Sequence, residues 1–369
     1  MRADVVEARL DGLARSGRPV AEFAESALEL LRQAVPFESA CLAFTDPATE
    51  LLTGTVKLDL PDARDAEFAR LEYEFDDVNA FRDIAARDIP VGVLALDTDG
   101  HPDRSLRYRE FLVPHFDQGN ELRAACRLDG QTWGLLGLYR PTSATGFSPA
   151  EAAFIASVSG ALASGVRAGL VAGAADVSGA ADLVGPAVLV IDNEDEVIQA
   201  SESVAQRVTE LGGDPWGGLP IGLASVVAAA RAFAQGRSAT PARARVRTAG
   251  GDWLIVHASA LASRDGRRGD VVVTIEEARP PEIVPLVVAA FGLTDRERDV
   301  VRLVLSGLST QDIARELFLS PYTVQDHLKS IFVKTGVTSR RELTAKVFFE
   351  QYGPRIGGPL APSGWFTAQ

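Results

Sequence analysis

Residues 307–329 read Gly307-Leu308-Ser309-Thr310-Gln311-Asp312-Ile313-Ala314-Arg315-Glu316-Leu317-Phe318-Leu319-Ser320-Pro321-Tyr322-Thr323-Val324-Gln325-Asp326-His327-Leu328-Lys329. Gly307 ends one helix, and Ser309 with an acid three residues on has the form of a capping box that opens the next. Ser320-Pro321 repeats the start signal: a hydroxyl N-cap, then a proline where its missing N–H costs nothing. Only Phe318 and Leu319 separate the predicted helix over 310–317 from the Ser320 cap of the next, over 321–334. That spacing predicts a helix-turn-helix, whose second helix enters the major groove of duplex DNA. In the second helix Val324, Leu328 and Ile331 form an inward stripe, with Tyr322, Gln325, Asp326 and Lys329 on the opposite face. Gln pairs with adenine at two points, Lys reaches guanine or phosphate, and Asp accepts from cytosine N4. The Ser320 and Thr323 hydroxyls and the free N–H groups of the helix start suit a phosphate. An all-α dimerisation domain with a merely solvated polar face meets the same spacing.

Outward from this stretch the pattern stays helical. Thr294-x-x-Glu297 and Ser339-x-x-Glu342 are two further boxes, so 281–353 reads as a compact all-α domain. The remainder, 354–369, is rich in Pro and Gly and is expected to be irregular, with Trp365-Phe366 as a docking element of unassigned role.

Upstream, two α+β units are expected. In the first, 1–172, an amphipathic helix over 20–35 precedes strands over 39–44 and 51–58. Strands over 122–128 and 132–139 join through Asp129-Gly130, a hairpin signal, and a helix opens at Ser148-Pro149. Residues 85–95 show no readable pattern. The second unit, 173–280, begins in an Ala/Gly-rich passage. Strands are predicted over 187–191 and 197–200, helices over 201–211 and 221–234, and strands over 243–248, 253–260 and 270–276. Residues 154–175 raise the membrane question, since Arg167 is their single charge. Phe154, Val158, Leu162, Val166 and Leu170 recur every four residues, which reads as a packed helix, with a dimer seam as one place for it, rather than a membrane span. The N-terminus lacks an apolar signal core. A cytoplasmic protein without membrane association is expected.

The chain has 369 residues and a formal net charge of −13. Its two cysteines, Cys41 and Cys126, provide neither a disulfide framework nor a zinc site. The acidic balance excludes a coat-like nucleic-acid binder, but it is unevenly shared: residues 1–284 carry −15 and 285–369 carry +2. The acidic N-terminal portion then repels DNA at long range, and a specific site and a dimer are needed to hold it.

The quoted residues, with Gly292-Leu293-Thr294-Asp295-Arg296-Glu297, Ile331-Phe332, Lys334-Thr335-Gly336-Val337 and Ser339-Arg340-Arg341-Glu342-Leu343, strongly resemble the LuxR-type helix-turn-helix. The resemblance covers about 65 residues and implies a dimeric transcription regulator with its last helix, 340–351, at the dimer contact. It implies base contacts at Gln325, Asp326 and Lys329 and phosphate contacts near Thr310, Thr323, Lys334 and Arg340. A basic residue is common where Gln325 stands, and Asp326 adds a negative charge, so base preference stays open. Residues 1–172 are similar to a GAF-type domain through Glu121-Leu122-Arg123, Trp133-Gly134, Leu138-Tyr139-Arg140 and Phe147-Ser148-Pro149. His101-Pro102-Asp103-Arg104-Ser105 through Arg109-Glu110 resembles the variant fused to LuxR-type domains in actinobacterial regulators. Residues 173–280 look loosely PAS-like through Val188-Leu189-Val190-Ile191-Asp192.

No catalytic constellation emerges: GxSxG, Walker and GxGxxG patterns are absent. Neither cofactor nor metal is expected. Cys126 reads as a small apolar strand residue, His257 as a half-buried structural histidine, and Asp192, Glu194, Asp195 and Glu196 as a solvated turn. The expectation is a non-enzymatic, homodimeric regulator of double-stranded DNA, with room for a small-molecule effector. The alternative is a sensor half that chiefly recruits a protein partner.

Overall fold

The computed structural model describes residues 3–349 except 61–63, 173–185, 215, 249, 263 and 265–268. Two compact units emerge, one holding 3–172 with 186–277 and the other holding 278–349.

The first lobe of the larger unit runs α1 (Ala3–Ala14), α2 (Val20–Arg32), β1 (Ser39–Thr45), β2 (Leu52–Leu58), α3 (Asp65–Tyr73), α4 (Phe81–Ala85), β3 (Val91–Val93) and α5 (Leu94–Asp97). A 3-10 turn (Pro102–Arg104) and a π turn (Tyr108–Leu112) lead to α6 (Val113–Phe116), β4 (Gln118–Leu128), β5 (Gln131–Pro141) and α7 (Pro149–Val171). The strands form one antiparallel sheet, ordered β2-β1-β5-β4-β3. The β4–β5 hairpin turns on Asp129 and Gly130, both left-handed, as a tight hairpin requires. At the start of α7 the Ser148 hydroxyl accepts from the Glu151 N–H, and the Glu151 carboxylate accepts from the Ser148 N–H at 2.8 Å.

Among the described residues α7 is the one helix long and apolar enough to cross a membrane. Half of its apolar stretch is nevertheless buried within the structure. Val158, Leu162, Val166 and Leu170 are buried, with α1 and α2 packed alongside. Arg167 ends on Asp129 at 2.8 Å. Four of the five residues of the predicted stripe are therefore covered inside the lobe, with Phe154 half-buried.

The second lobe has β6 (Ala187–Ile191), β7 (Val197–Ala200), α8 (Val204–Glu210), α9 (Ile221–Ala234), β8 (Arg243–Arg247), β9 (Trp253–Ala260) and β10 (Val271–Glu277). Its antiparallel order, β7-β6-β10-β9-β8, repeats that of the first sheet. Every residue of α9 from Ile221 to Ala232 is buried, because its own sheet covers one side and α3 and β2 cover another. One hydrophobic core thus contains Ala43, Leu52 and Phe81 together with Leu223, Val227 and Val256. Buried ion pairs cross the same seam. Asp46 accepts from the Arg245 backbone N–H at 2.9 Å and from its Nε at 2.8 Å. Arg231 reaches Glu74 across the seam at 3.3 Å and Asp195 of its own lobe at 2.6 Å.

The second unit is all helical: α10 (Pro280–Ala290), α11 (Asp295–Leu305), α12 (Thr310–Glu316), α13 (Pro321–Thr335) and α14 (Arg340–Thr344), which continues in a π turn to Phe349. Val300, Ile313, Val324, Leu328, Ile331 and Leu343 share its core.

Several expectations need correction or completion. The charged N-terminal segment is helix α1, and the unreadable 85–95 contains β3, a three-residue edge strand too short to show alternation. His257 is exposed, with Arg243 Nε donating to its Nε2 at 3.1 Å. Ser339 caps the Glu342 N–H, but Glu342 returns its bonds to Thr338, so the third box is only half formed. The 173–185 part of the expected boundary, residues 350–351 of the last helix and the 354–369 tail lie outside the described residues.

Candidate nucleic-acid interface

Helix α13 is built to show one face. Val324, Leu328 and Ile331 are buried, whereas Tyr322, Gln325, Asp326 and Lys329 are exposed. Their partition follows from helical spacing, since the two sets fall on opposite sides of a 3.6-residue turn. Lys329 Nζ lies 3.3 Å from Asp326 Oδ1 one turn earlier, so the cation and the anion of this face partly neutralise each other.

Ser320 caps the helix by accepting from the Thr323 N–H at 3.0 Å, and the two hydroxyls are 2.9 Å apart. Both remain at a helix start where the dipole and the remaining N–H groups favour an anion. Leu317 ends α12, and Phe318 follows in the left-handed region, φ +54°, with 96% of its surface exposed. At the far end Gly336, φ +66°, closes α13.

Lys334 and Arg340 have internal partners. Lys334 Nζ donates to Glu297 at 2.6 Å, and Ser330 Oγ donates to the other Glu297 oxygen at 2.6 Å. Glu297 is also the box residue of α11, accepting from the Thr294 N–H at 2.7 Å. Burial pushes the Glu297 carboxyl up, but the bonds from Lys334, Ser330 and Thr294 outweigh it and hold the group at about 2. Arg340 donates to the Leu308 carbonyl at 2.8 Å and to Thr310 Oγ1 at 2.9 Å; desolvation lowers its pKa. This pair ties α14 to the start of α12. The structure thus gathers Ser320, Tyr322, Thr323, Gln325, Asp326 and Lys329 on the first three turns of α13, and joins Thr310 to Arg340 at a second point. Sequence reasoning missed Glu297 as the residue anchoring Lys334, although its capping-box spacing was visible.

A second feature lies in the larger unit. An apolar cavity of about 70 Å³ is bounded by Cys41, Phe68, Phe81, Phe111, Tyr139 and, from the second lobe, Ile221. The Tyr139 hydroxyl stands 4.0 Å from Cys41 Sγ, and burial raises both pKa values, so neither group ionises near neutrality. Cys126 is fully buried, its thiol pushed up to about 12, in keeping with a packing role.

A pair of helices capped in this way, the second solvent-facing along one side, defines a helix-turn-helix domain. Residues 292–347 match the family described as bacterial regulatory proteins, luxR family. The chain carries a LuxR-family helix-turn-helix domain there. It is 59% identical over 52 residues to a putative HTH-type transcriptional regulator of Mycobacterium bovis, covering 14% of this chain and 6% of that protein. It is 36% identical over 85 residues to the monoamine regulon transcriptional regulator of Klebsiella aerogenes, covering 20% of this chain and 37% of the other. The chain therefore spans well under two thirds of these relatives. A bacteriophytochrome from R. palustris aligns over 78% of this chain and 74% of its own at 12% identity, with a TM-score of 0.31.

Proposed function

We propose that the chain is a site-specific, double-stranded-DNA-binding transcriptional regulator acting as a homodimer in the cytoplasm. The observation that carries this reading is the exposed face of α13, with Tyr322, Gln325, Asp326 and Lys329 presented by a helix whose other side is locked in the core. Gln325 and Asp326 meet base edges, and Lys329 meets a guanine edge or a phosphate; Thr310, Ser320, Thr323, Lys334 and Arg340 lie near phosphates, with Tyr322 beside them. Lys334 takes up such a contact only by sharing or leaving Glu297, so it contributes less than Lys329. The division into a GAF-like 1–172, a PAS-like 173–280 and the DNA-binding 281–353 belongs to the same proposal. No catalytic reaction is assigned.

The cavity, lined by aromatic rings and by Lys57, Arg64 and Asp65, supplies a place for a small effector in addition to any partner recruitment. Control requires that the effector bind two arrangements with different affinity. Fluorescence anisotropy on duplexes selected by the full chain from a random pool tests the DNA reading. Lys329→Ala is expected to weaken binding and to flatten the log–log salt dependence by about 0.9 if its ammonium meets one phosphate. Failure to select any duplex overturns the proposal.

A further inference from the structure

Phe318 is unexplained by the fold. It occupies the residue after the α12 C-cap, at φ +54°, where glycine and asparagine are at home and a bulky side chain is strained. A strained large residue is ordinarily held by packing, yet 96% of this one is exposed. Tyr322, also exposed, lies two residues past the Ser320 cap as Phe318 lies two before it. Two solvent-facing aromatics therefore bracket the helix start at which the hydroxyls of Ser320 and Thr323 gather. Among the described residues neither burial nor backbone preference accounts for phenylalanine at this position, which leaves its ring available to a contact outside the chain.

Resting on the DNA-binding reading above, we infer that the Phe318 ring packs on the apolar deoxyribose face of the strand whose phosphate meets Ser320 and Thr323. In a helix-turn-helix the first residues of the second helix enter the groove while the first helix crosses the backbone, which brings the turn that joins them close to the same strand. A neutral ring there removes apolar surface from water without releasing a counterion. It also offsets a weakness of this interface, whose Lys329 is partly neutralised by Asp326. An apolar contact gains affinity without adding the positive charge that would bind every duplex at long range.

The test compares wild type, Phe318→Asn, Phe318→Leu and Lys329→Ala as full chains on the selected duplex and on a scrambled duplex at low salt. Phe318→Asn is expected to bind both about fivefold to tenfold more weakly, the effect of uncovering part of one aromatic side chain. Its salt slope stays that of wild type, unlike that of Lys329→Ala. Its thermal midpoint is unchanged or raised, because asparagine accepts the left-handed backbone, and Phe318→Leu recovers at least half of the loss. Affinity within twofold of wild type for Phe318→Asn, while Lys329→Ala still weakens binding, overturns this inference and leaves the DNA reading standing. Loss confined to the selected duplex overturns the sugar contact in favour of a base. Loss of self-association without DNA, at unchanged DNA affinity, assigns the ring to a second copy and likewise overturns it. Absence of duplex binding by wild type overturns both.

Discussion

Glu297→Gln isolates the charge at the centre of the DNA-binding unit while keeping its shape. The wild-type carboxylate is 5% exposed and takes bonds from Lys334, Ser330 and the Thr294 N–H. Its pKa falls from the ordinary 4.5 to about 2. A displacement of that size corresponds to roughly 3 kcal/mol of pH-linked stability at neutrality. Lys334 is 34% exposed, so solvent screens part of the pair, and about 2 kcal/mol is the expected loss. Amide hydrogen exchange of the full chain, read at Val300 and Ile313, reports opening of this unit separately from the larger one. At pH 7 exchange of these amides is expected to accelerate about 30-fold in the variant, since 1.4 kcal/mol is tenfold. Because the folded pKa is depressed, the wild-type advantage is complete above 4.5 and is lost as pH falls through about 2. The gap between the two proteins should close across that window. A gap under about threefold at pH 7, or one that persists undiminished at pH 2, would refute the reasoning.

Asp46→Asn leaves the Arg245 guanidinium buried against a neutral amide, and about 3 kcal/mol of stability should be lost in urea unfolding followed by tryptophan fluorescence; less than about 1 kcal/mol would show the pair is dispensable. Gly165→Ala places a Cβ 2.0 Å from Phe23 Cζ, so about 1–3 kcal/mol should be lost. Combining it with Phe23→Ala should cost less than the two single changes together, and strict additivity would contradict the clash. Asp326→Ala removes a carboxylate from the face of α13 and should tighten binding to unselected DNA at low salt. Weaker binding to the selected duplex would instead show Asp326 accepting from a base.

The DNA-binding unit was the most legible part of the sequence because its signals are local. Thr294, Ser309 and Ser320 each sit within three residues of the group they cap, and Val324, Leu328 and Ile331 keep one period throughout. The hairpin at Asp129-Gly130 was readable for the same reason. What stayed hidden was long-range. The pairing of Lys334 with Glu297 spans 37 residues, and that of Arg245 with Asp46 spans 199. Residues 85–95 resist reading because they lie among short helices, turns and one three-residue strand, in which no periodicity has room to accumulate. Ion pairs also obscured the pattern: Arg107 and Arg123 look like surface residues, yet both are buried, on Asp77 and Glu121 and on Glu72 respectively. Phe318 reads as an ordinary apolar linker residue until its exposure and left-handed backbone are seen.

The all-round burial of α9 bears on how the larger unit fails. A helix enclosed by two sheets' worth of structure cannot lose one neighbour without presenting alanines and valines to water. The two lobes should accordingly melt in a single transition, and a fragment cut between residues 172 and 186 should be sticky on both sides of the cut. Fusing the cores in this way trades modularity for transmission: a strain of a few tenths of an ångström beside Ile221 has no slack in which to dissipate.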